Sequence, residues 1–198
     1  LAKKDSEVIA ITRRSISNLP ENVTLLNLNF DDFLDNGCVP SCDHIYICLG
    51  TTIKKAGSQS EFKKVDFDYS VSFARKAREA GATKISLVSS VGANPYAKNF
   101  YLKIKGEVEE EIKKIDFQSI NIFRPSLLLG HREEGRFLEK IGQNLSSFIN
   151  PLLIGSLRKY RGIKSSNVAY FMANCEKSSG IKYFYFDDFN NNFERENQ

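Results

Sequence analysis

Residues 84–110 read KISLVSSVGANPYAKNFYLKIKGEVEE, and no other stretch says as much about the fold. An apolar, β-branched run, Lys84–Ser89, ends in two serines. A turn-rich VGANP follows, and then a long helical pattern predicted over Tyr96–Ile115. On a helical wheel Ile104, Val108, Ile112 and Ile115 form the core stripe. Tyr101 and Lys105, four residues apart, lie together along its edge, whereas Glu109, Glu110 and Lys113 are predicted to face solvent. A buried strand running into a turn and then an amphipathic helix is one unit of an α/β sheet.

The same unit recurs on both sides. Further strands are predicted at Val8–Thr12, Val23–Leu26, His44–Leu49, Ser119–Phe123 and Lys182–Phe186. Several are continuously apolar, as strands covered on both faces must be. A helix over Asp68–Ala80 stops at Gly81. The alternation predicts one α/β domain over residues 1–198, a doubly wound parallel sheet of Rossmann type, with a small substrate-side segment after about residue 130. The polar end, Asn190–Gln198, is expected to fray. A nucleotide-binding domain of this kind opens on a strand and a glycine-rich turn that lets backbone approach a pyrophosphate. No such turn occurs in these residues, and the expectation is that about 20 residues carrying it precede Leu1.

Composition narrows the function. The 198 residues are 41% hydrophobic and 26% charged, with 28 basic and 24 acidic side chains. A formal charge of +4 spread evenly along the chain makes no nucleic-acid stripe, and no apolar run approaches a membrane span. Leu1–Glu7 lack the apolar core of a signal peptide. The four cysteines, at 38, 42, 48 and 175, lack paired metal-ligand spacing and are expected to be reduced thiols. His44 is expected at a strand edge, and with His131 far away in sequence no metal site is expected. The expectation is a soluble cytoplasmic protein, monomeric or weakly dimeric. It would act on a small molecule and bind neither nucleic acid nor membrane.

Ser90, Tyr101 and Lys105 suggest carbonyl–alcohol chemistry. Such a reaction needs a group that exchanges a proton near neutral pH. Bringing a tyrosine from about 10 to about 7 takes roughly 4 kcal/mol, the order that a nearby ammonium in a partly desolvated site supplies. A serine at the strand end can hold the substrate oxygen in line. Tyr160 and Lys164 repeat the spacing, but Gly162 lies inside the match and no serine-ended strand precedes it.

Three other strand ends point the same way. In ITRR, Arg13 and Arg14 follow a strand with no acid at its tip, which favours a 2′-phosphate, and so NADP over NAD. ICLGTT, Ile47–Thr52, runs a strand into a glycine suited to close approach by a ligand. In FRPSLLLG, Phe123–Gly130, Pro125 ends ladder pairing and turns the chain outward, which would place Ser126 and Leu127 beside the site.

In order and spacing, ITRR, CLGTTIKKAG, VDFDY, LVSSVGA, YLKIKGEVE and FRPSLLLG resemble the atypical branch of the short-chain dehydrogenase/reductase superfamily. The likeness is to the Tat-interacting oxidoreductase proteins and their bacterial relatives, with an epimerase-like Rossmann fold. The resemblance implies that Ser90 orients substrate, that Tyr101 is the acid/base, and that Lys105 is its partner and a ribose ligand. It further implies Arg13 and Arg14 at the 2′-phosphate, and Asn29 and Phe30 flanking the adenine. Leu49, Gly50 and Thr51 would line the ribose, and Pro125 would border the nicotinamide. Asp66 stands where many relatives carry an asparagine that supports a relay water. The expected function is an NADP-dependent oxidoreductase of a small carbonyl or alcohol. The alternative is a cofactor-binding regulatory or scaffold protein with little turnover.

Overall fold

The computed structural model describes residues 6–17, 19–130, 150–175 and 179–195, with side chains described as far as residue 190. His131 and residues 1–5 lie outside these. The strands are β1 (Val8–Thr12), β2 (Val23–Asn27), β3 (His44–Ile47), β4 (Lys84–Val88), β5 (Ser119–Phe123), β6 (Leu128–Leu129), β7 (Ile163–Lys164) and β8 (Gly180–Phe184). The helices are α1 (Phe30–Asn36), α2 (Ile53–Ala56), α3 (Gln59–Lys63), α4 (Tyr69–Glu79), α5 (Phe100–Lys113), α6 (Ser165–Asn174) and α7 (Phe186–Arg195). A π-helical turn, Lys64–Asp68, joins α3 to α4.

All strand pairs are parallel. The main sheet has the order β3–β4–β5–β8, while β1 pairs with β2 and β6 with β7. Side-chain alternation gives the sheet two apolar faces. Ile47, Ile85, Leu87, Ile120 and Ile122 point into a core with Phe33, Phe73, Val108 and Ile112 from α1, α4 and α5. Val88, Phe123 and Phe184 point the other way, onto Val168, Phe171, Met172 and Phe189 of α6 and α7. Ile122 and Phe123 are neighbours in sequence, opposite in direction, and both fully buried. Burial of this kind stabilises by roughly 1.5–3 kcal/mol per side chain. Helices on both faces of a parallel sheet make the doubly wound fold that the alternation predicted. Among the described residues, β1 and β3 each keep one unpaired edge.

Local chemistry sets the ends. After α4, Gly81 has φ +106° and Ala82 N–H reaches Ala77 O at 2.9 Å, so the glycine is the helix stop that was expected. The helix predicted from Tyr96 begins instead at Phe100. Asn99 accepts from Leu102 N–H at 3.1 Å and caps it, and residues 94–98 fold as a turn about Pro95. The last strand runs two residues earlier than predicted, because Tyr185 N–H donates to Asp188 at 2.7 Å where α7 starts. That helix reaches Arg195, so the expected frayed end from Asn190 is largely helical. No disulfide joins the four cysteines. His44 opens β3, contacts Ser86 Oγ at 3.0 Å and stacks on Tyr46.

Candidate functional site

The C-terminal ends of the parallel strands lie on one edge of the sheet, where ligands of open α/β folds bind. The candidate residues sit at or just beyond such ends, except Tyr101 and Lys105, which lie on α5. Arg13 and Arg14 follow β1 and are both exposed. The Arg13 guanidinium lies 5.7 Å from the centre of the Phe30 ring. After β2, the Asn29 side chain accepts from Asp31 N–H at 3.0 Å and caps α1. Phe30 itself is 3% exposed and edge-on to Tyr69 and Phe73, so its ring belongs to the core. Asp31 is engaged by Lys64 at 2.6 Å and by the Tyr69 hydroxyl at 2.5 Å. Those hydrogen bonds, Lys64 first, hold its carboxyl below the usual aspartate range.

Beyond β3 the chain passes through Leu49, Gly50 and Thr51. Thr51 N–H donates to one Asp66 oxygen at 2.9 Å, and Lys105 Nζ lies 2.7 Å from the other. Both charged side chains are buried, with 0% of Asp66 and 8% of Lys105 exposed. Asp66 sits in the π-helical turn, a distortion that re-aims a side chain and recurs at functional sites. A Cβ placed on Gly50 would lie 3.6 Å from Asp66 Oδ1 and 3.8 Å from Lys105 Nζ. The glycine therefore borders the ion pair directly.

Ser89 and Ser90 follow β4. Ser90 Oγ donates weakly to Val91 O at 3.3 Å, while Val91 N–H donates to Pro125 O at 2.9 Å and ties this loop to the end of β5. Pro125 is buried and Ser126 donates to Arg161 O, while Leu127 is 57% exposed. Tyr101 is the second residue of α5. It is half-buried against Phe62 at 5.8 Å, and its hydroxyl makes no hydrogen bond among the described residues. The Lys105 ammonium, expected beside that phenol, has Asp66 as its ion-pair partner. Tyr160 and Lys164 fall in a 3-10 turn and in β7, not on one helix.

One prediction is overturned. Glu109 does not face solvent; it is 1% exposed. It stands four residues beyond Lys105 and eight beyond Tyr101, on the same stripe of α5. Its carboxylate accepts from Ser89 Oγ at 2.5 Å and from Arg124 Nε at 2.9 Å, with a second bond to Arg124 Nη2. Burial works against the Arg124 charge, but the Glu109 carboxylate outweighs it and raises the guanidinium pKa further above its usual range. Neither Glu109 nor Arg124 was a sequence candidate. The repeat of the four-residue step, 101–105–109, is the signal that marks Glu109.

No family model matches the chain. Curated proteins do. The mitochondrial protein FMP52 of Candida albicans is 39% identical over 120 residues, covering 60% of this chain and 52% of that protein. Protein HTATIP2 of Rattus norvegicus is 36% identical over 135 residues, covering 66% and 55%. FMP52 of Eremothecium gossypii is 33% identical over 159 residues, covering 79% and 66%. The chain spans about half the length of the first two. Among solved structures, the UDP-glucose 4-epimerase of Thermotoga maritima superposes with TM-score 0.63 at 13% identity, covering 92% of this chain and 70% of that one. The UDP-N-acetylglucosamine 4-epimerase of Bacillus cereus gives 0.60 at 17%, covering 96% and 73%. These likenesses speak for the fold alone.

The FMP52 relatives are named mitochondrial, which corrects the cytoplasmic assignment. That assignment rested on composition, and composition does not carry an address. By its relatives and its fold, this chain belongs to the atypical short-chain dehydrogenase/reductase family, with the FMP52 and HTATIP2 proteins.

Proposed function

We propose that this chain is the core of an NADP-dependent oxidoreductase that acts on a small carbonyl or alcohol. The observations that support this are Ser90 just beyond the end of β4, Tyr101 and Lys105 one turn apart on the helix α5 that follows, and two exposed arginines at the tip of β1. The donor set suits a dinucleotide: guanidinium groups for a 2′-phosphate, glycine-bordered backbone at Gly50, and a buried ammonium beside it. Arg13, Arg14, Asn29, Leu49, Gly50, Thr51, Lys105 and Pro125 would hold the cofactor, with Phe30 contributing backbone. Bound NADPH supplies a hydride to the substrate carbon. Ser90 then holds the carbonyl oxygen, and the Tyr101 hydroxyl gives its proton to that oxygen as the C–O double bond becomes single. The resulting phenolate takes a proton back from solvent, and the charge of Lys105 favours it in the interval.

A second reading, a dinucleotide-binding regulatory protein with little turnover, draws on the Lys105–Asp66 pair, because the carboxylate offsets the charge that the phenolate needs. Two substitutions in the full-length protein separate the readings. Tyr101→Phe keeps the ring against Phe62 and removes only the transferable proton. Under the enzyme reading NADPH affinity survives and turnover falls by about 10²–10⁴, whereas Lys105→Met damages both. Equal background rates for wild type and Tyr101→Phe across a panel of carbonyls would leave the binder.

A further inference from the structure

The buried group that this chemistry does not use is Glu109. A carboxylate withdrawn from water is strongly unfavourable unless charge and hydrogen bonds replace its hydration. Here both are supplied by strand ends. Ser89, from the end of β4, donates at 2.5 Å, and Arg124, from the end of β5, donates through Nε at 2.9 Å and through Nη2. Arg124 is fixed in turn, with Nη1 donating to the Tyr185 hydroxyl at 3.1 Å and its plane 4.5 Å from the centre of the Tyr183 ring. One side chain on α5 thus grips two strand ends, one residue before Ser90 on one side and one residue before Pro125 on the other. It also accepts the hydrogen bond of the Ser89 hydroxyl, so that Ser90, whose hydroxyl makes only the weak bond to Val91 O among the described residues, is the serine suited to hold an oxygen.

We propose that Glu109 is a positioning residue: paired with Arg124, it clamps the α5 stripe bearing Tyr101 and Lys105 to the ends of β4 and β5, and so fixes Ser90 relative to Tyr101. The kinetic consequence rests on the oxidoreductase reading above, whereas the clamp itself does not. Bidentate geometry and burial suit the role, because such a pair holds an angle as well as a distance. Misplacement of reacting groups by about 1 Å can lower a rate by about 10²-fold, so a clamp one residue from Ser90 has leverage on turnover.

The test uses the full-length protein, Glu109→Gln, and the double variant Glu109→Gln/Arg124→Met. The single variant strands a buried guanidinium, while the double variant removes both charges and recovers stability without the clamp. Two readouts are taken: amide hydrogen exchange, and kcat against KM with NADPH. In the double variant, exchange in residues 89–91 and 101–105 is expected to quicken by about tenfold while β3 keeps wild-type protection. The kcat should fall by about 10–10²-fold with KM for NADPH nearly unchanged. Wild-type exchange and kcat in a stable double variant would overturn the proposal and leave the pair a packing device. Uniformly faster exchange would overturn it too. If the wild-type protein shows no turnover, the oxidoreductase reading fails, and exchange alone decides the clamp by the same criterion. Should the double variant not fold, Glu109→Asp is judged by the same two readouts, since it keeps the charge and shortens the reach.

Discussion

Lys105 Nζ lies 2.7 Å from Asp66 Oδ1, and the other oxygen of that carboxylate receives Thr51 N–H at 2.9 Å. The pair joins the turn after β3, the π-helical turn and α5 through one buried carboxylate. Deleting one partner of a buried pair leaves the other charged and unsatisfied, which costs about 3–5 kcal/mol. Asp66→Ala is therefore expected to lower the unfolding free energy by that order in urea titrations. Asp66→Asn keeps the shape and one acceptor oxygen, for Lys105 or for Thr51 N–H but not for both, and should lose less than Asp66→Ala. Equal losses for the two variants would show that the carboxylate charge, not the side chain's shape or its carbonyl acceptor, is what matters there.

Gly106 faces the loop that carries the candidate serine. A Cβ there would come within 2.3 Å of Asn94 C and Pro95 N, both backbone atoms. Helix propensity alone favours alanine by about 1 kcal/mol, but overpacking against rigid backbone costs typically about 1–3 kcal/mol. Gly106→Ala is expected to destabilise and to push the 90–99 loop away from α5. Unfolding curves give the sign, and a gain in stability would mean that the loop yields freely.

How much of this was legible in the sequence depended on whether the deciding contact was local. β1 and β5 have the bounds that their apolar runs predicted; β5 is buried along its whole length, as a strand covered on both faces is, whereas β1 is half-buried. The start of α5 was missed because the cap is a single hydrogen bond that Asn99 accepts from Leu102 N–H, whereas the helical pattern already extends to Tyr96. Phe30 was placed beside the adenine by resemblance, yet its ring is held by Tyr69 and Phe73, some 40 residues away in sequence. Glu109 was missed because a wheel assigns glutamate to solvent. Its partners, Ser89 and Arg124, stand just beyond the ends of β4 and β5, which no helical pattern includes.

The paired arginines make a prediction about the cofactor that does not depend on turnover. Arg13 and Arg14 are exposed at the tip of β1, and Asp31, the acid of that neighbourhood, is engaged by Lys64. Charge-assisted hydrogen bonds to a phosphate contribute roughly 1.5–3 kcal/mol each. Replacing both arginines by alanine in the full-length protein should weaken NADPH binding well over tenfold and leave NADH nearly unchanged. Calorimetric titration of both cofactors checks this, and equal losses would move the 2′-phosphate site elsewhere.

The Asp31–Lys64 pair at the start of α1 should have its own pH signature. Hydrogen bonds from Lys64 and Tyr69 hold the Asp31 carboxyl below the ordinary aspartate value of 3.8. The hydrogen bond to Asp31 raises Lys64 above its ordinary 10.5. For a depressed acid, the stabilisation is present above the unfolded value and is lost as pH falls through the folded one. For a raised base, it is present below the unfolded value and lost as pH rises through the folded one. The difference in unfolding free energy between wild type and Asp31→Asn should therefore be flat across the neutral range and shrink below pH 3.8. It should also shrink above pH 10.5. Because both side chains are partly exposed, at 34% for Lys64 and 55% for Asp31, the difference should be small and fall further with added salt. Urea titrations of both proteins at neutral, acid and alkaline pH measure it. A gap that stays unchanged on acidification would mean that the Asp31 charge, and so its pairing with Lys64, contributes nothing.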